Sequence, residues 1–130
     1  MPTVIAAAVA LGGLWFARQR VAGGRERSLD GAAYLRHVAP ALRRAGCAER
    51  ACHGGAEAGL YLAPRLGDAA EAVREFHDLS ARARDGEGAA SLLWRRAVAG
   101  ERHPARLDPA RCEARVLRAW IEGRATAPCP

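Results

Sequence analysis

The chain has 130 residues, half of them apolar and 5% aromatic, with 20 Lys+Arg against 14 Asp+Glu and a net charge of +6. That length supplies one domain and no more. Acidic residues are interleaved with the basic ones throughout, so no basic stripe joined to aromatics marks a nucleic-acid-binding surface.

The first element is the segment Pro2–Ala17, PTVIAAAVALGGLWFA, uncharged and largely apolar. It is shorter than the roughly 20 residues of a full span. Trp15 and Phe16 suit an interface, and Arg18, Arg20, Arg25 and Arg27 come directly after. We read residues 1–24 as an N-terminal hydrophobic anchor helix or signal segment, and residues 25–130 as the domain. Basic residues placed after the apolar run favour an inside location for the domain. The cysteine–histidine motif at 47–53 demands the opposite, so the expected place is outside the cytoplasmic membrane, in a bacterial periplasm.

After a polar, glycine-containing linker, Tyr34 to Cys47 reads as a helix with Tyr34, Leu35, Val38 and Leu42 on one face and Pro40 at its start or a kink. The helix leads into Cys47-Ala-Glu-Arg-Ala-Cys52-His53-Gly54-Gly55. Two thiols with an imidazole directly after them are what covalent haem attachment needs: each sulfur adds to one vinyl group, and the adjacent histidine is held where its nitrogen reaches iron. The usual spacing between the cysteines is two residues and here it is four. The longer loop remains feasible, because the intervening backbone can bulge outward. Gly54 and Gly55 let the backbone pass close to a flat ligand and turn sharply. The other readings are a Cys47–Cys52 disulfide or a structural zinc site. Neighbouring Cys52 and His53 would strain to face one metal, and no second cysteine pair completes a zinc set.

Further along, Leu60-Tyr61-Leu62-Ala63-Pro64 is an apolar loop suited to the edge of a haem. Asp68 caps a helix expected to run to about Leu79, with Val73 and Phe76 on one face. Arg82 to Gly88 reads as a polar loop. Ser91-Leu92-Leu93-Trp94 opens a helix ending at Gly100, and Asp108-Pro109 a last helix that carries Val116, Leu117, Trp120 and Ile121 and stops at Gly123. Trp94 and Trp120 are expected to pack on the haem. Cys112 and Cys129 bracket the last helix, and a disulfide between them would pin the tail 125–130 back onto it. Nothing alternates as a strand does. The expected fold is all-α, four to five short helices wrapped round one haem.

With these residues placed, the domain resembles bacterial cytochrome c-like domains of the planctomycete and myxobacterial type. The resemblance rests on Val38-Ala-Pro40-Ala-Leu42 before Cys47, Cys52, His53 and Gly54; on Gly59-Leu60-Tyr61-Leu62; on Ser91-Leu92-Leu93; and on Trp120-Ile121-Glu-Gly123-Arg-Ala125. It covers about Leu29 to Ala125 and implies a cytochrome c-like fold. The family places a second axial ligand, often Met before Pro, in the loop before the terminal helix. The only Met here is Met1, and the corresponding loop holds His103-Pro104. The resemblance therefore implies His103 opposite His53, with His77 and His37 as competitors.

The function expected is that of a membrane-tethered monohaem electron carrier, not an enzyme, with haem c on Cys47 and Cys52, axial His53 and distal His103. Its positive surface would steer an acidic redox partner protein. The rivals are a haem enzyme or gas sensor with an open sixth position, and a haem-free interaction domain stabilised by a Cys47–Cys52 disulfide.

Overall fold

A computed structural model describes residues 28–55, 59–103 and 107–130. The anchor or signal segment expected over 1–24 lies outside these residues. Among the described residues no helix is long and apolar enough to cross a membrane. They form an all-α fold of four helices, with no strand among them.

Helix α1 starts earlier than the apolar pattern suggests. Asp30 takes the N-cap, its carboxylate accepting from the Ala32 and Ala33 amides, an arrangement worth about 1 kcal/mol. The chain is α-helical over Gly31–Ala33, widens to a π turn over Tyr34–Val38, and returns to α over Ala39–Arg44. The wide turn sits just before Pro40, whose missing N–H cannot serve the Arg36 carbonyl; the Ala39 amide bonds back to Tyr34 instead. Tyr34, Val38 and Leu42 are buried as expected, but Leu35, one position off that row, is 45% exposed.

Helix α2 spans Ala69–Arg84. Asp68 caps it through the Ala70 amide, but the helix runs more than a turn past Leu79. Its buried face is Glu75, Leu79, Ser80 and Ala83, a spacing of three and four that turns Val73 outward (54% exposed). A 3₁₀ turn over Gly88–Ala90 precedes α3, Leu92–Ala97, whose N-cap Ser91 accepts from the Trp94 amide. Helix α4 is Cys112–Ile121. Asp108 and Pro109 do not open it: the Asp108 carboxylate and carbonyl take the Ala110 and Arg111 amides in a preceding turn. The helix ends on Gly123 (φ +68°), whose amide bonds to Trp120 while that of Arg124 bonds to Ala119.

Helix α4 packs on α1, and α2 packs on α3. Trp120 lies at the first contact, its ring 5.4 Å from Tyr34 and 6.2 Å from Phe76, with Nε1–H donating to the Asp30 carbonyl at 3.0 Å. Trp94 lies beneath the Arg118 guanidinium, 5.2 Å from the ring centre. Cys112 and Cys129 are disulfide-bonded, with Cα atoms 5.7 Å apart. The tail so held also brings the Thr126 hydroxyl to His37 Nδ1 at 2.7 Å and the Pro130 carbonyl to Arg44 at 2.8 Å.

Candidate functional site

The end of α1 sets the first thiol. Beyond Arg44 the chain turns through Gly46 (φ +82°); the Gly46 amide bonds to Arg43 and that of Cys47 to Leu42. This paired termination satisfies the last carbonyls of the helix and fixes Cys47 one residue past the left-handed glycine. The loop then closes on itself. The Cys52 and Gly54 amides both bond to the Glu49 carbonyl at 2.9 Å, and the His53 amide to Cys47 at 3.0 Å. A Cβ at Gly54 would lie 2.2 Å from the Ala48 carbonyl oxygen. The close approach that requires glycine at position 54 is to the loop's own backbone.

His53 is oriented by the segment 60–62. The Leu62 N–H donates to the His53 carbonyl at 2.8 Å. His53 Nδ1 lies 3.0 Å from the Leu60 carbonyl oxygen. A carbonyl can only accept, so Nδ1 carries the proton and Nε2 presents a lone pair. Facing it, 3.3 Å away, is Nε2 of His103. The two rings are inclined by only 16°. With His53 Nε2 accepting, His103 Nε2 is the donor of that pair.

Both histidines line a cavity of about 390 Å³ together with Cys47, Leu42, Leu60, Leu62, Leu79, Leu93 and Leu107. That volume is in the range of small-molecule and cofactor sites. Arg82 and Arg96 bring the only charged side chains among its described lining residues. Each is braced on backbone: Arg82 donates to the Asp78 and Gly59 carbonyls, and Arg96 to that of Arg102. Arg102, beside His103, has φ +49°, a left-handed conformation uncommon for a residue with a Cβ.

Burial pushes the Cys47 thiol up to about 11, with the neighbouring Cys52 adding to the rise. Cys47 and Cys52 are both free thiols, each half-buried. Cys52 is not among the residues that line the cavity. His77 is exposed on the outer side of α2, its ring 5.8 Å from Phe76, and His37 is engaged with Thr126. Of the four histidines in the chain, the cavity thus receives His53 and His103. Trp94 and Trp120 are core residues but do not line the cavity. The tryptophans serve the helix contacts, and leucines wall the cavity.

A buried polar network next to the site is not evident from the sequence. Glu75, 3% exposed, accepts from the Tyr34 hydroxyl, from both terminal nitrogens of Arg43 at 3.0 and 2.8 Å, and from the Ala63 amide at 3.1 Å. Desolvation, and then the Glu75 carboxylate, hold the Tyr34 hydroxyl far above its ordinary range. The signal available in the sequence is a carboxylate four residues before Leu79, on the face of α2 that must be buried.

Among the described residues no group of three or more His, Cys, Asp or Glu side chains is placed to hold a bare metal ion. Two facing imidazoles and an apolar wall suit a metal that brings its own equatorial donors. A first-row ion such as zinc sits about 2 Å from each imidazole nitrogen, and the 3.3 Å gap has to open by less than an ångström to take an ion of that size. Compared with known family models, curated proteins and solved structures, the chain matches none.

Proposed function

We propose that this chain is a monohaem c-type cytochrome, a small electron carrier with a cytochrome c-like fold. The single observation that supports it most is the pair of Nε2 atoms facing each other 3.3 Å apart in an apolar cavity that Cys47 also lines. Haem bound there supplies a one-electron couple at its iron. The chain's own residues do the rest. Cys47, which lines the cavity, and Cys52, which stands beside it, would hold the haem through thioether bonds. His53 stays in one tautomer because the Leu60 carbonyl accepts a hydrogen bond from its Nδ1–H, and that bond raises the donor strength of Nε2. His103 would be the second histidine to hold the iron, with its own proton on Nδ1.

The leucine wall excludes water, and two histidine ligands give a lower potential than histidine with methionine. The net charge of +6 favours an acidic partner protein. Tethering through residues 1–24, with the domain in the periplasm, belongs to the same proposal, since that is where haem is joined to such proteins. A reading with an open sixth position has to move His103 away, and one built on a Cys47–Cys52 bridge has to join two thiols that are free here.

Expression of the full chain with a bacterial haem-maturation system tests the proposal. We expect a haem-staining band that survives denaturing electrophoresis, its loss in Cys47→Ser and Cys52→Ser, and a low-spin six-coordinate spectrum. An unmodified mass for the protein from such cells overturns it.

A further inference from the structure

One carboxylate joins the two halves of the candidate site. Arg43 lies next to Leu42, the residue whose carbonyl receives the Cys47 amide. Ala63 ends the segment that begins at Leu60, whose carbonyl receives His53 Nδ1. Glu75 on α2 binds both: one oxygen takes Arg43 Nη2 at 2.8 Å and the Ala63 amide at 3.1 Å, and the other takes Arg43 Nη1 at 3.0 Å. The loop 60–63 belongs to no helix and makes no ladder, since the described residues contain no strand. Its Leu62 amide is tied to His53 itself, and its Ala63 amide to Glu75. The second tie anchors the far end of the loop to something other than the histidine, while Arg82 holds the Gly59 carbonyl just before it.

We propose that Glu75 is a positioning residue for His53: by gripping the Ala63 N–H and Arg43 together, its carboxylate fixes the Leu60 carbonyl that locks the His53 tautomer. The tether itself rests on this geometry alone, whereas its consequence for an electron carrier rests on the proposed cytochrome function. An axial histidine whose second nitrogen donates to a fixed carbonyl is a stronger and better-aimed ligand than one that is loosely held. Releasing the carbonyl therefore weakens the ligand, and removing a buried negative charge disfavours the oxidised metal. Both effects raise the midpoint potential.

The test uses the full chain and two variants. Glu75→Gln keeps the volume and removes the charge. Because it leaves the half-buried Arg43 without its carboxylate partner, the combined variant Y34F/R43M/E75L is made beside it; replacing a whole buried ionic group by apolar side chains of similar size is often tolerated, and it deletes the Ala63 acceptor outright. The first readout is the side-chain ¹⁵N spectrum of His53 before haem is attached. Wild type should show the Nδ1–H tautomer with slow proton exchange. The combined variant should show a tautomer mixture with exchange at least tenfold faster, its helical content unchanged. The second readout is the midpoint potential of the haem-loaded proteins, which should rise in Glu75→Gln. A His53 that keeps one tautomer and its slow exchange in the combined variant overturns the proposal, as does an unchanged midpoint in Glu75→Gln alongside a lower melting temperature, the mark of a merely structural role. If wild type takes up no haem, the cytochrome function falls, and the ¹⁵N spectra still decide the tether.

Discussion

His53 and His103 point their Nε2 atoms at one another across 3.3 Å of cavity although they are 50 residues apart in sequence. One is fixed by a carbonyl behind it. The other stands in a loop held by a 2.6 Å bond from the Leu107 amide to the Ala97 carbonyl and by the Arg96 bond to Arg102.

Replacing His103 by alanine in the haem-loaded protein is expected to convert a low-spin spectrum to a high-spin one. His37→Ala and His77→Ala should leave the bands in place, since His37 is engaged with Thr126 and His77 is exposed. Visible absorbance of the three variants checks this. An unaltered His103→Ala spectrum rules out His103 as the sixth ligand.

Gly54→Ala should cost about 1–3 kcal/mol, the range of substitutions that force a backbone rearrangement, because the new Cβ would meet the Ala48 carbonyl oxygen at 2.2 Å. Gly59→Ala and Gly67→Ala meet nothing within 4 Å and should stay within about 0.5 kcal/mol of wild type. Urea unfolding of the three proteins measures the contrast. Equal stabilities would mean that the loop does not close on its own backbone.

Breaking the Cys112–Cys129 bridge, which closes a 17-residue separation, with serine at both positions should destabilise the fold by about 3 kcal/mol. The Arg44–Pro130 and His37–Thr126 contacts should loosen with it, and hydrogen exchange at the C-terminal end of α1 should quicken. A non-reducing peptide digest of wild type has to yield the linked pair first. If the serine variant melts at the wild-type temperature, the bridge adds nothing to stability.

Alkali should weaken the haem-free protein through two groups. The Cys47 thiol is raised by burial from an ordinary value of 9.0 to about 11, and Tyr34 is raised in the same direction. An acid whose folded value is raised holds its proton more tightly when folded. The Cys47 contribution is therefore fully present below the ordinary value of 9.0 and is lost as pH climbs toward about 11. Cys47→Ser should flatten the stability curve over that window. Identical curves for wild type and Cys47→Ser across it would contradict the burial of the thiol. Alkylation of Cys47 should likewise be slow at neutral pH and accelerate through the same range.

Much of the fold was legible in the sequence because local chemistry decided it. Asp68 and Ser91 cap helices where their side chains predicted, and Gly123 stops α4. The alternation expected of strands is missing from the sequence, and the described residues contain helices and no strand. What escaped was decided by partners distant in sequence. Val73 has the look of a core residue, yet α2 is longer than its caps imply and turns its buried stripe onto Glu75, Leu79 and Ala83. Glu75 reads as a surface charge, because its donors Tyr34 and Arg43 lie 41 and 32 residues away. Asp108-Pro109 has the form of a helix start, yet the turn it makes uses both acceptors before the helix begins. The tryptophans draw attention by size, but size alone does not say which side of a helix contact they fill. Of the residues singled out in the sequence, Cys47, His53 and His103 meet at one cavity and Cys52 does not line it; the Nδ1 bond to Leu60 was not legible, since any backbone carbonyl could have supplied it.

The self-closing loop between the two thiols carries one last implication. The Glu49, Cys52, His53 and Gly54 amides bond to the Gly46, Cys47 and Glu49 carbonyls, all within the loop or the helix end before it. Its shape therefore does not wait for a guest. In the proposed cytochrome, four spacer residues, more than the common arrangement uses, would cost extra ordering entropy on haem attachment; a loop already ordered by its own hydrogen bonds would reduce that cost.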